Sequence, residues 1–209
     1  MSLSSAVFIL VVLLVVGWFA LGTQFNVRRG NEWLRWMEAG LPLAGEKTTL
    51  RWLGSSVVEL KIQQAHAPFR EVSVLLVLEP RDVAPLWALA RWRGRRDLFL
   101  FRAALRLRPR VELEALNPRS WFTRGVEHRC RQKNWVALPA PEGLVAYTRG
   151  DTASAAQILQ VAEVPECPLV RLAVHQVEPH FEAQWELRHL RGRSSRAVFE
   201  TLCHLARSL

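Results

Sequence analysis

A chain of 209 residues, half of them hydrophobic and 22% charged, is long enough for one domain with a sizeable core and too apolar for a disordered tail. Three cysteines without paired spacing (Cys130, Cys167, Cys203) exclude a disulfide-stapled scaffold and suit a reducing compartment. The net charge of +9 is concentrated, since residues 81–133 hold 14 basic and 5 acidic side chains, whereas 1–80 hold 7 and 6 and 134–209 hold 7 and 8.

The first element is Ala6 to Leu21, AVFILVVLLVVGWFAL, which has no charged side chain and twelve Val, Ile, Leu or Phe among its sixteen residues. With its polar flanks it predicts a transmembrane helix over residues 5–23, since about 20 helical residues cross a hydrocarbon core. Insertion is favoured by at most about 4 to 7 kcal/mol. A cleaved signal peptide is the competing reading, and Ala20-Leu21-Gly22 is a passable site, but Met1 to Ser5 lacks the basic residues of a signal. Arg28 and Arg29 follow the apolar run, so the positive-inside rule predicts a cell-membrane protein with its N-terminus outside and residues 24–209 cytoplasmic.

Residues 24–46 read as a juxtamembrane helix and connector, with Asn31 capping EWLRWMEA and Gly40 stopping it. Trp33, Leu34, Trp36 and Met37 fall on one broad side, suited either to a core or to the membrane interface.

Residues 47–209 predict an α+β domain of mainly antiparallel hairpins with three or four helices. A strand at 48–53 precedes a hairpin of 57–63 with 69–79, in which Leu60 faces Val72 and Lys61 faces Glu71. A helix over 83–93, capped by Asp82, ends at Gly94. Residues 97–116 read as a second hairpin about Arg108-Pro109-Arg110, with Arg106 opposite Glu112. The irregular stretch 117–141 reads as a long basic loop, with or without a short helix. Then come a strand at 144–148, a helix with Ala155, Ile158, Leu159 and Ala162 inward, a hairpin placing Leu172 beside Ala183, and a final helix with Val198, Leu202 and Leu205 inward. The domain is either one unit or two subdomains, 47–116 and 143–209, joined by the loop 117–141.

No nucleophile-elbow, phosphate-loop or dinucleotide motif occurs, nor Cys-x-x-Cys or His-x-x-x-His, so the chain predicts no cofactor, no metal site and no enzyme. Glu112 and Glu114 alternate on one strand face and read as surface ion pairs rather than catalytic carboxylates. The constellation with functional content is basic and aromatic. Arg91, Arg93, Arg95, Arg96, Arg119, Arg124, Arg129 and Arg131, with Trp87, Trp92, Trp121 and Trp135, suit contact with an anionic surface. The expected function is that of a membrane-surface or complex-assembly scaffold, with the bilayer, anionic lipid headgroups or an acidic protein as partner. Nucleic acid is the less favoured partner, because a membrane tether restricts access, and an enzyme without a motif is the remaining alternative.

Overall fold

The computed structural model describes residues 2–162 and 167–209. Its first helix, α1, runs unbroken for 35 residues from Leu3 to Met37 and is long and apolar enough to cross a membrane. The expected break before Asn31 does not occur. Residues 24–30 contain no proline to interrupt the backbone ladder, and Asn31 is an exposed residue within the helix rather than its cap.

Up to Leu21 the side chains of α1 are exposed; beyond it Gly22, Asn26, Gly30, Trp33 and Met37 are buried. Their spacing of three and four forms one stripe, against which the rest of the chain packs. Two glycines permit the approach. A Cβ on Gly22 would lie 2.2 Å from the Arg81 carbonyl oxygen, and one on Gly30 would lie 2.5 Å from the Trp52 ring. The predicted juxtamembrane residues Trp33 and Met37 are therefore core.

A single turn, α2 (Leu41–Ala44), leads into β1 (Gly45–Trp52), β2 (Val57–Ala65) and β3 (Phe69–Val77). Helix α3 (Ala84–Trp92) precedes β4 (Leu98–Leu105) and β5 (Glu112–Leu116). The stretch read as a basic loop holds a 3-10 turn at Trp121–Thr123, helix α4 (Val126–Gln132) and β6 (Val136–Leu138). The chain continues through β7 (Val145–Arg149), α5 (Thr152–Ala162), β8 (Leu169–Val174), β9 (Phe181–Glu186), α6 (Leu187–Leu190) and α7 (Ser195–Arg207). Helix α5 starts on an Asp151 cap, whose carboxylate accepts from the Ala153 and Ser154 amides at 3.1 Å.

Among the described residues, nine strands form one antiparallel sheet in the order β1-β2-β3-β4-β9-β8-β5-β7-β6, to which 47–116 and 143–209 both contribute. The Leu172–Ala183 pairing is as expected. The first hairpin is displaced by two residues, with Leu60 opposite Val74 and Lys61 opposite Ser73. A two-residue slip keeps every side chain on its face, so alternation cannot detect it. The 97–116 hairpin does not form. Strand β4 pairs with β3 and β9, β5 pairs with β8 and β7, and the later β8–β9 hairpin lies between them. Arg106 meets no Glu112; its guanidinium instead holds the β2–β3 turn through the Phe69 and Ala65 carbonyls at 3.0 and 3.1 Å.

One face of the sheet carries rows of apolar residues such as Leu60, Val74, Phe101, Ala183, Leu172 and Ala115. Helices cover it: α1 through Trp36, which meets Phe99 edge-on, and α7 through Phe199, which lies against Phe99 and Phe101. On the other face, the residues of β2 and β3 alternate toward solvent or half-burial, whereas the 3-10 turn and α4 cover β8, β5 and β7.

Candidate functional site

The segment between β3 and β4 grips one face of α1, at Trp18, Gly22, Asn26 and Arg29, in a polar collar. Asn26, fully buried, donates to the Glu79 carbonyl at 3.0 Å, and the Trp18 indole donates to the Arg81 carbonyl at 2.9 Å. Asp97 lies at the centre, accepting from the Glu79 amide at 2.8 Å, from Arg81 at 3.0 and 3.1 Å, and from Arg29 at 2.6 Å. Burial pushes its pKa up, but the hydrogen bond and charge of Arg81, the Glu79 amide and Arg29 outweigh that and hold it below 3.8. The Glu79 carboxylate takes the Trp87 indole at 2.7 Å and Arg91 at 3.3 Å. None of these partnerships was legible as such. Arg29, read as a topological flank, is a structural ion-pair partner.

The collar fixes α3 beside α1. Arg81 touches α1 at Trp18 and Gly22, residues about 6 Å apart along the axis and spanning the end of the apolar run. The Trp18 and Trp87 rings lie 6.1 Å apart, and with Leu21, Gly22, Phe25 and Arg81 they line an apolar groove. On α3 only Ala90 is buried. Val83, the N-cap, and Leu86, Leu89 and Trp92 are exposed by 43, 49, 39 and 83% respectively, in a winding stripe that turns through about half the helix circumference. The expected Asp82 cap is replaced by Val83, which makes no side-chain cap bond, while Asp82 accepts from Ser55 at 2.6 Å.

The basic residues next to this stripe come from two segments. Val77 pairs with Leu98, Leu98 with Glu186, Leu169 with Trp185, and Leu116 with both Arg171 and Val145. The chain therefore leaves β5 at the end of the sheet where the collar grips α1. There the Arg95 guanidinium lies 5.5 Å over the Trp121 ring, and Arg124 donates to the Arg93 carbonyl at 3.1 Å. Arg96 donates to the Arg91 and Arg95 carbonyls at 3.1 and 2.8 Å, answering the C-terminal end of α3. Among the described residues, Arg91 alone of this group is paired with a carboxylate; Arg93, Arg95, Arg96, Arg119 and Arg124 are not.

Arg129, Arg131 and Trp135 belong elsewhere. They accompany α4 on the second face of the sheet, where Arg131 bonds Glu127 at 2.7 Å and Tyr147 at 3.3 Å. The predicted cluster is thus two groups. Arg106, Arg108 and Arg110 lie at the opposite end of β4 and β5, so the basic quarter of the sequence is not one patch.

Beneath α4 lies a second ion network that alternation concealed. Arg102, Glu182 and Glu114 stand in one row across β4, β9 and β5, with the small Ala173 of β8 between the two carboxylates. Arg171 bridges them, bonding Glu114 at 2.9 and 2.5 Å and Glu182 at 2.7 Å, and Arg102 bonds Glu182 at 2.7 Å. His175 lies 3.1 Å from Glu114. Glu114 is therefore a buried ion rather than a surface one, whereas Glu112 is half-buried, 3.9 Å from Arg149. Burial opposes the Glu114 charge, but the hydrogen bonds and charges of His175 and Arg171 outweigh it, so its pKa lies below 4.5. Cys130 faces this network with its thiol pushed up to about 11 by burial and by the Glu114 charge, so it is protonated at neutral pH. All three cysteines are free and buried.

No protein-family model matches the chain, and a search of curated proteins finds no relative.

Proposed function

We propose that the protein is a single-pass membrane protein whose cytoplasmic α+β domain docks on the anionic inner leaflet through α3 and the Arg93–Arg124 group. The observation that carries this reading is the exposure of Leu86, Leu89 and Trp92 on a helix that Arg81 and Trp87 hold beside α1 at the level of Trp18 to Phe25. An α1 that spans the bilayer holds α3 at the headgroup level, where apolar residues and Trp are favoured on one side of a helix and arginine on the other. Arg93, Arg119 and Arg124, exposed and without carboxylate partners among the described residues, then contribute about 1 kcal/mol each on a negative leaflet. The collar makes the anchor and the domain one body, so the domain's opposite end is presented to the cytoplasm in one orientation, as suits a scaffold.

The test uses the full chain in nanodiscs of neutral or anionic lipid, read by amide exchange of residues 84–92. Anionic lipid should slow exchange there, and salt should weaken the effect, since exposed charges are screened over about 8 Å at physiological ionic strength. Arg93→Gln with Arg119→Gln should remove about 2 kcal/mol of that protection. Exchange indifferent to lipid charge, or protection matched by a single-stranded oligonucleotide, would count against the membrane reading, the latter in favour of nucleic acid.

A further inference from the structure

A cavity of about 230 Å³ opens between α4 and the sheet, lined by Glu114, Arg129, Cys130, Lys133, Trp135, Arg171 and His175, with Val126 closing one side. Its floor is the ion network, in which the Glu114 charge is answered by Arg171 and His175. Its rim is different. Arg129 and Lys133 stand one helical turn apart, both exposed, and among the described residues neither is paired with a carboxylate. Like charges at this spacing repel each other. The neighbouring cation of α4, Arg131, turns away to Glu127 and Tyr147, so the two that remain are those facing the cavity. With Arg171 they outnumber the one carboxylate of the lining. The indole of Trp135, 6.2 Å from the His175 ring, walls the far side.

We propose that this cavity binds a small oxyanion, a phosphate monoester or a carboxylate, held by Arg129 and Lys133 at the rim and facing the Arg171–His175 end of the floor. The paired Glu114–Arg171 floor keeps a fixed, water-poor polar surface under the ligand, and the anion removes the repulsion between the two rim cations. The site lies on α4 and does not depend on the membrane docking proposed above.

The full chain in neutral detergent, at constant ionic strength set with chloride, is titrated calorimetrically with inorganic phosphate and, separately, with malonate. Saturable binding of at least one is expected, with phosphate preference marking a phosphate site and malonate preference a carboxylate site. Lys133→Gln and Arg129→Gln should each weaken it at least about tenfold, because each removes one charge-assisted contact. Arg131→Gln, which removes the same charge from the same helix on the side away from the cavity, should leave it within about twofold. Circular dichroism and thermal midpoints confirm that the variants are folded; both rim positions are exposed. Absence of saturable binding to either anion overturns the proposal. So does an equal loss in all three variants, which would mark diffuse surface attraction.

Discussion

Asp97→Ala is expected to destabilise the domain by about 3 to 5 kcal/mol, because it leaves Arg29 and Arg81 without their common carboxylate in a desolvated collar. Denaturation of the full chain in neutral detergent measures it, and the loss should extend to the α1 packing, since the Glu79 amide and the Asn26 contact are held by the same segment. Asp97→Asn keeps the shape but not the charge and should cost less. The pH dependence has a definite sign. The folded-state pKa of Asp97 is depressed, so its contribution is fully present above the ordinary value of 3.8 and is lost as pH falls through the lower, folded value. The wild type should lose this increment below pH 3.8 and the alanine variant should not.

Arg171→Ala should be comparably damaging, at about 3 to 5 kcal/mol, but with the opposite response to acid. Glu114 and Glu182 are about 5 and 7% exposed at their side chains, and removing the guanidinium between them leaves Glu182 to Arg102 alone and Glu114 to His175 alone. In the wild type Glu114 is depressed, and its contribution is present above 4.5 and lost as pH falls through the folded value. Without Arg171, burial is opposed by His175 alone, and where burial prevails the folded pKa of Glu114 rises above the unfolded one and protonation favours the folded state. The variant should therefore gain stability on mild acidification, where the wild type is flat. Denaturation midpoints across the pH range distinguish the two. A variant that follows the wild-type profile would mean that the Glu114–Arg171 bond is not the main support of the charge.

Local pattern carried much of the architecture and little of the chemistry. The apolar run, the α5 and α7 faces and the Leu172–Ala183 register were legible because each rests on neighbours or on a tight turn. The β4–β5 hairpin was misread because Arg106 and Glu112 looked complementary, while one partner of each strand, β9 for β4 and β8 for β5, arrives 82 and 57 residues later, as Phe101↔Ala183 and Ala115↔Leu172 show. No local rule weighs a partner at that distance. The unbroken α1 was misread because Asn31 resembles a cap; what holds the helix together there is the stripe Gly22–Asn26–Gly30, whose meaning depends on Arg81 and Trp52. Of the site residues, the basic group at the collar end was anticipated by composition. Asp97, Glu114, Glu182 and Arg171 were not, since burial of a carboxylate is a property of what covers it. Glu112 and Glu114 share a strand face, yet only the second lies beneath α4.

In the proposed membrane docking, α1 and α3 form one rigid unit that holds Leu86, Leu89 and Trp92 at the headgroup level. A nitroxide placed by Leu89→Cys tests it most directly, since the native thiols are buried and remain unlabelled. The full chain is reconstituted in anionic bilayers, and collision of the label with oxygen is compared with collision with a water-soluble nickel complex. A second label at Arg108→Cys, at the opposite end of the sheet, serves as the aqueous reference. Docking on the leaflet gives oxygen-favoured collisions at position 89 and nickel-favoured collisions at position 108. Equal, water-like accessibility at both positions would contradict it.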